Sequence, residues 1–404
     1  MSIEVRAITE AELPAMLEVD TRGFGARPRT PERPESWVRA ELDRTRCAFE
    51  GDEMLGCTRA YSFELTMPGG ALVPVAAVSA VAVQPTHRRR GVLTAMIDAL
   101  HDDARARGEV ASALTASESK IYGRFGYGPA TWRLGCSIDR AAGRFARPVA
   151  DSGRLRMVAR GEADVIYQRV YDECRRARAG MVSRPEFWWP EVFWITEPGH
   201  ALFDVVHEDE QGRPDGYVSY EIKGEWHGGV ADRQLQVWDI QATNPTARAA
   251  LWEYLFGVDL IVSISATNLP PDEPLRFLLA DTRAMRTDYV IDSVWVLPLD
   301  AAALLASRTY SASGKLVIEI VDPDGSRTQI ALDGSPDGAR GVEQPNAAPD
   351  LSCSRATLGA LSLGGTSWAT FVAAGAVDEN TPGSVALADA MFATAPAPAT
   401  VSWF

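Results

Sequence analysis

Cysteine is scarce: five in 404 residues (Cys47, Cys57, Cys136, Cys174, Cys353), scattered and odd in number. No Cys-x-x-Cys pair occurs, so a disulfide framework is not expected, and the thiols read as reduced packing residues of a cytoplasmic protein. Long apolar runs are missing too. The longest uncharged stretch, Leu65 to Thr86, is broken by Pro68, Pro74, Pro85 and the Gly69-Gly70 pair. It falls short of the roughly 18–20 consecutive apolar residues that cross a bilayer, and reads instead as a hairpin turn plus a buried strand. The opening MSIEVRAITEAEL carries acids and no apolar core, so no signal peptide is expected and no membrane association. Basic residues are in deficit, 40 against 54 acids, for a formal charge of −14. An acidic whole argues against nucleic acid as the main partner, because phosphate binding needs a basic face, and it permits a cationic small molecule. Two phosphate motifs are absent: no GxxxxGK[ST] loop and no GxGxxG, which disfavours P-loop and Rossmann chemistry. Ser117 to Lys120 spells Ser-x-x-Lys, but without a Ser-Asp-Asn or Lys-Thr-Gly partner a serine acylase is not supported.

What is present is an ordinary globular composition, 46% hydrophobic and 23% charged, which excludes a disordered chain, a collagen and a coiled coil. At roughly 150 residues per domain, two or three domains are expected. A helix begins near Thr9, with Glu12 at capping-box spacing. Strand-like runs follow at Cys47–Phe49 and Leu55–Leu65, then AAVSAVAVQP (Ala76 to Pro85), whose small and β-branched residues suit a strand buried on both faces. From Gly91 to Gly108, Leu93, Met96, Ile97 and Leu100 make one apolar stripe, with His101, Asp102, Asp103, Arg105 and Arg107 flanking it or facing elsewhere. Val110 to Ser117 and Thr131 to Asp139 read as two more strands, and Ala141 to Arg154 as a basic, loop-like boundary.

Beyond the boundary, a helix over Asp164 to Arg178 precedes strands at Leu202–His207 and Tyr217–Ile222, joined by the turn-rich EDEQGRPDG. A strand (LQVWDIQATNP), a helix over Thr246 to Phe256 and a strand over Ile261 to Thr267 follow. This repeats the first order of hairpin, strand, helix, strand, and QPTHRRRGVLTAM (Gln84 to Met96) aligns with NPTARAALWEYLF (Asn244 to Phe256) as a decayed internal copy. The last hundred residues differ. A short helix over Ala301 to Ala306 leads into an alternating hairpin from Lys315 to Leu332, which turns at Asp322-Pro323-Asp324-Gly325. Ala356 to Leu363 and Val385 to Ala393 suit helices, and the chain closes on an extended apolar APAPATVSWF.

The sharpest chemical signal is Arg88-Arg89-Arg90-Gly91-Val92-Leu93, between a strand and a helix. The first turn of a helix has unpaired N–H groups and a partial positive charge, which suits a phosphate, and Gly91 permits close backbone approach. A solvated basic cap is the competing reading. The longer strings VAVQPTHRRRGVLTAM and ASESKIYGRFGYGPATW together resemble the Eis (enhanced intracellular survival) family of the GNAT N-acetyltransferases, although Leu93 stands where the superfamily's turn has a small residue.

The resemblance implies an α/β (α+β) fold of two tandem GNAT-like domains, the second degenerate, plus a C-terminal sterol-carrier-protein-like domain, at residues 1–145, 146–295 and 296–404. It implies acetyl-CoA as co-substrate, a primary amine acceptor (aminoglycoside-like, at one or several positions, or a lysine side chain) and a homohexamer. Val81, Ala82 and Val83 match the strand that pairs with the pantetheine arm. Arg89, Arg90, Gly91, Val92, Leu93 and Thr94 match the pyrophosphate turn, and Ser117 and Glu118 a second cofactor contact. Tyr122 matches the general acid that protonates the departing thiolate, with Tyr127 as its rival, though a packed aromatic is the plainer reading of Tyr127. The carboxylate of the last residue, Phe404, matches the general base. An ordinary α-carboxyl titrates at about 3.3–3.7, so burial or a relaying water would have to help it accept a proton.

The second copy carries Ala249 and Ala250 and lacks the glycine turn, so it is expected to bind no acetyl-CoA and to serve as scaffold and pocket wall, with Trp188, Trp189, Trp194, Trp238 and Trp252 as candidates for that wall or for plain core. Two departures bear on the acceptor. Trp403 stands at the penultimate position, and Ala26 follows Phe24-Gly25, where aminoglycoside-acetylating relatives place acids. Asp239, Glu253 and Asp292 are the remaining candidates to supply charge. The competing functions are a non-catalytic ligand- or lipid-binding protein led by the C-terminal domain, and an inactive GNAT serving in assembly.

Overall fold

The computed structural model describes residues 3–25, 39–193, 202–322 and 324–404. It holds three sheets. The first has seven strands in the order Glu4–Arg6, Cys47–Glu50, Glu53–Thr66, Leu72–Val83, Ala111–Thr115, Val294–Pro298, Gly128–Pro129. The second also has seven, in the order Met285–Asp292, Trp132–Asp139, Ser263–Leu269, Val230–Ala242, Pro214–His227, Leu202–Glu208, Arg154–Val158. The third has five: Gly338–Glu343, Arg327–Ser335, Gly314–Val321, Leu351–Ser354 and Val377–Glu379. Each sheet buries a separate apolar cluster; Tyr61, Trp252 and Trp368 are fully buried members of the three.

The stretch from Leu65 to Thr86 folds as expected. Two long strands meet at a tight turn in which the Met67 amide donates to the Ala71 carbonyl at 2.8 Å. Among the described residues no helix is long and apolar enough to cross a membrane. All five cysteines are unpaired. The hairpin of the third unit also forms, Gly314–Val321 against Arg327–Ser335, with the Gly325 amide donating to the Asp322 carbonyl at 2.9 Å in its turn. Pro323 lies outside the described residues.

The first two units share one plan: a long antiparallel hairpin, a helix, then a strand parallel to the hairpin's second arm. In the first, Leu72–Val83 is followed by the helix Val92–Ala106 and pairs in parallel with Ala111–Thr115. In the second, Val230–Ala242 is followed by the helix Pro245–Gly257 and pairs in parallel with Ser263–Leu269. Both hairpins bulge in the second arm: Ala80 and Val81 lie opposite Thr58, and Trp238 is skipped between the pairs Ser219–Asp239 and Tyr220–Val237. A bulge bends the strand and re-aims the residues after it.

The letter-by-letter alignment of the two copies needs correction. Gln84 to Met96 spans a 3-10 turn, a loop and a helix that begins only at Val92, whereas Asn244 to Phe256 is helical from Pro245. The cause is local: the Asn244 side chain accepts the Ala247 amide at 2.9 Å, and Pro245 takes the first helical position, so the helix starts at once.

The expected boundaries at 145 and 295 follow the chain, while the sheets do not. Trp132–Asp139 joins the second sheet and Val294–Pro298 the first, so the two units exchange a strand. The crossing is tied at Thr131, which accepts the Ser293 amide on its carbonyl and the Val294 amide on its hydroxyl, both at 2.9 Å. The returning strand covers the edge of Ala111–Thr115 that would otherwise stay unpaired.

Candidate active site

Parallel pairing between Leu72–Val83 and Ala111–Thr115 stops at Val78 and Leu114. The first strand continues to Val83, so the two diverge past the bulge, and the helix Val92–Ala106 starts beside the opening. The opening is a cleft of about 690 Å³. Val81, Ala82 and Val83 line one arm; Ser117, Glu118 and Tyr122, just past the other strand, line the opposite side. The loop between contributes Arg89, Gly91, Val92, Leu93 and Thr94.

Arg89 (φ 62°) and Gly91 (φ 82°) are both left-handed, which swings the chain so that the helix points its first turn at the cleft. Gly91 caps that helix with no side-chain bond, leaving the first-turn amides open. A Cβ on Gly91 would meet nothing within 4 Å, so glycine is required there by its φ and not by crowding.

Arg90 is the exception among the expected cofactor residues. It is absent from the lining and turns its guanidinium 3.4 Å from the Glu50 carboxylate. Three consecutive arginines cannot all face one way on a loop with alternating backbone twist. Arg88 takes the place instead: it lines the cleft and donates to the Gly23 carbonyl at 3.2 Å. Phe24, read only as a marker of the acceptor side, also lines it, as do Gly23, His87, Ile121 and Arg124, which were not read from the sequence. Gly23 had a signal, since it ends a helix against the cleft strand: a Cβ there would sit 2.6 Å from the Ala82 Cβ. Ala26 lies outside the described residues.

Tyr122 is 4% exposed, at the end of the short helix Ser119–Tyr122. Burial pushes its phenol pKa up; a hydrogen bond with Ser117 opposes this and the Glu118 charge adds to it. The net rise keeps the hydroxyl protonated and able to donate. Tyr127 is fully buried and not in the cleft: its hydroxyl is shared with Ser112 Oγ at 2.7 Å and His101 Nε2 at 2.9 Å, and burial raises its pKa strongly. It packs edge-on to Tyr122, with ring centroids 6.1 Å apart. His101, read as flanking the stripe or facing elsewhere, is decided by the structure. It is buried, its pKa lowered to about 4 by burial and then by Arg105, so it sits neutral in this network.

Phe404 is buried against Phe63, ring centroids 5.4 Å apart, and one oxygen of its terminal carboxyl accepts the Thr115 hydroxyl at 2.8 Å. Thr115 ends the strand that leads into Ser117; neither it nor Phe404 lines the cleft, and Phe404 packs in the cluster of Phe63 while Tyr122 packs in that of Tyr127. The neighbouring Trp403 is exposed, with the Arg133 guanidinium stacked 3.8 Å over its ring.

The candidate acids are engaged elsewhere. Asp239 is buried against Arg184 at 2.6 Å, Asp292 accepts the Trp295 indole N–H at 2.6 Å, and Glu253 is on an exposed helix face. Trp188, Trp189 and Trp252 are core, Trp238 occupies the second bulge, and Trp194 lies outside the described residues.

This geometry matches known proteins along the whole chain. A GNAT acetyltransferase domain model matches residues 4–130, a second GNAT acetyltransferase domain model residues 180–296, and a sterol carrier protein domain model residues 301–401. An uncharacterized N-acetyltransferase of Streptomyces avermitilis is 35% identical over 98% of both chains. N-acetyltransferase Eis of Mycobacterium tuberculosis is 34% identical over 81% of this chain and 80% of its own. The crystal structure of Eis1 from Mycobacterium abscessus superposes over 100% of both chains with a TM-score of 0.87 at 32% identity.

Proposed function

This chain belongs to the Eis-like family of GNAT N-acetyltransferases, with acetyl-CoA as its co-substrate, and we propose that it acetylates primary amines of a cationic small molecule, aminoglycoside-like at one or several positions, or of a lysine side chain. The backbone of Val81 to Val83 lines the pantetheine arm, and the amides opening the helix at Val92 take the diphosphate. The Phe404 carboxylate accepts the proton that the ammonium must lose before its nitrogen attacks the thioester carbonyl. As the new C–N bond forms and the C–S bond breaks, Tyr122 gives its proton to the departing sulfur, and the phenolate is reprotonated by way of water with the proton that the acylated nitrogen sheds as it becomes the amide. The assignments of Tyr122 and Phe404 are part of the proposal, as are a homohexameric assembly and a cytoplasmic location.

The observation that carries this reading is the placement of Phe404: the residue is buried and its carboxyl accepts the hydroxyl of Thr115, two residues before Ser117 of the cleft lining. The deciding experiment is thiol release from acetyl-CoA with kanamycin, spermidine and a lysine peptide. Turnover of at least one acceptor is expected. No turnover of any amine, with acetyl-CoA still raising the melting temperature, would leave a protein that binds the cofactor without using it.

A further inference from the structure

The second unit has its own divergence. Pairing between Val230–Ala242 and Ser263–Leu269 ends at Val237 and Ala266, and beyond it lies a cleft of about 370 Å³ lined by Ile240, Gln241 and Ala242 and by Arg248 of the following helix. This is the place in the fold where the first unit has Val81 to Val83 and its helix start. Here Pro396, Ala399 and Val401 of the chain's final segment form part of the lining.

That segment is bonded to the second unit almost residue by residue. The Ala397 amide donates to Asp272 at 2.9 Å, the Ala399 amide to the Ala179 carbonyl at 3.0 Å, and Asn268 Nδ2 to the Val401 carbonyl at 2.9 Å. The last of these holds is Arg184. Its side chain is 1% exposed, its Nη1 is 2.6 Å from Asp239 Oδ2, and its Nε donates to Ser402 Oγ at 2.8 Å. The guanidinium lies 3.9 Å over the Tyr171 ring, and the Tyr171 hydroxyl shares the same Ser402 oxygen at 2.9 Å. Asp239 is filled on its other sides by Tyr217 at 2.9 Å and Gln241 at 2.8 Å.

A buried ion pair is a poor source of stability, because desolvation offsets most of the attraction; what a fully bonded one supplies is a fixed geometry. Ser402 is two residues from Phe404, so a fixed Ser402 fixes the reach of the terminal carboxyl. We propose that Arg184, locked by Asp239, is a positioning residue for acetyl transfer, and that the cleft of the second unit holds segment 397–402 so that the Phe404 carboxylate meets Thr115, two residues before Ser117 of the cofactor cleft. This rests on Phe404 being the base.

The test uses the full chain with an N-terminal tag, acetyl-CoA and the fastest acceptor of the amine panel. Ser402→Ala removes one hydroxyl and leaves the Arg184–Asp239 pair whole; Arg184→Lys keeps the charge and loses the Nε donor. Both should lower kcat by about tenfold or more, as displacement of a reacting group by an ångström does, with KM for acetyl-CoA unchanged within about twofold. Arg44→Lys, which disturbs the buried pair with Glu109 and lines neither cleft, should lower the melting temperature and leave kcat at the parent value. Parent kcat in Ser402→Ala, in a chain where deletion of Phe404 abolishes turnover, overturns the positioning role alone. Full activity after deletion of Phe404 overturns the base and this inference together.

Discussion

The hydroxyl of Thr115 and the terminal carboxyl of Phe404 meet at 2.8 Å across 289 residues of chain. Thr115 belongs to the strand that forms one arm of the cleft, and Phe404 arrives from the third unit after crossing the second. All three units therefore converge on one hydrogen bond, and under the proposed function the path of the tail matters as much as the cleft.

Adding residues after Phe404 moves the carboxylate off Thr115. A chain with a C-terminal tag is expected to lose turnover with every acceptor while the same tag at the N-terminus is silent, measured by thiol release from acetyl-CoA.

Tyr122→Phe keeps the buried ring and removes the proton donor. It should retain the acetyl-CoA-induced rise in melting temperature and lose about 10²–10⁴-fold in kcat, the usual contribution of a general acid. A variant turning over at the parent rate removes the acid role.

Gly91→Ala places a Cβ at φ 82° with open space around it. The cost is backbone strain of about 1–2 kcal/mol, which the loop relieves by rotating its amides away from the cleft. KM for acetyl-CoA should rise more than kcat falls, and calorimetry should show weaker acetyl-CoA binding.

His207 predicts a pH dependence of stability remote from the cleft. Burial opposes its charge, but hydrogen bonds to Asp215 at 2.5 Å and Asp151 at 3.0 Å outweigh this and raise its pKa above the usual value. A raised folded-state pKa means that the contribution is complete below the unfolded value of about 6.5 and is lost as pH rises through the folded value. The stability deficit of His207→Gln, followed by thermal melts across pH, should be greatest at the acidic end of that window and shrink on the alkaline side. A deficit that grows with pH contradicts the sign.

Much of this was readable in the residues, and the limits have physical reasons. Turn residues mark the first unit's long hairpin, and alternation marks the third unit's Lys315 to Leu332 hairpin, because a half-buried strand needs period two whichever partner it finds; in the second unit the hairpin read was Leu202–His207 with Tyr217–Ile222, and its longer pairing with Val230–Ala242 was not seen. For the same reason Trp132–Asp139 reads as a strand and says nothing of which sheet takes it, so the exchange with Val294–Pro298 was invisible. His101 was read as flanking the apolar stripe or facing elsewhere; its buried bond to Tyr127 needs a partner 26 residues away. Arg88 and Arg90 are equivalent as letters, and only the left-handed turn at Arg89 decides which one faces the cleft. Gly91 was singled out by its turn, and the cleft strand and Tyr122 by the family resemblance, and all of them line the cleft; the Arg184 hold on Ser402 joins positions 218 apart and carries no motif.

The strand exchange also sets an order of events during translation. As the ribosome extends the chain, Ala111–Thr115 emerges early but waits for Val294–Pro298, nearly two hundred codons later, before its open side is covered. The first unit cannot finish folding while the second is unsynthesised, and a nascent chain halted between them exposes a bare sheet edge.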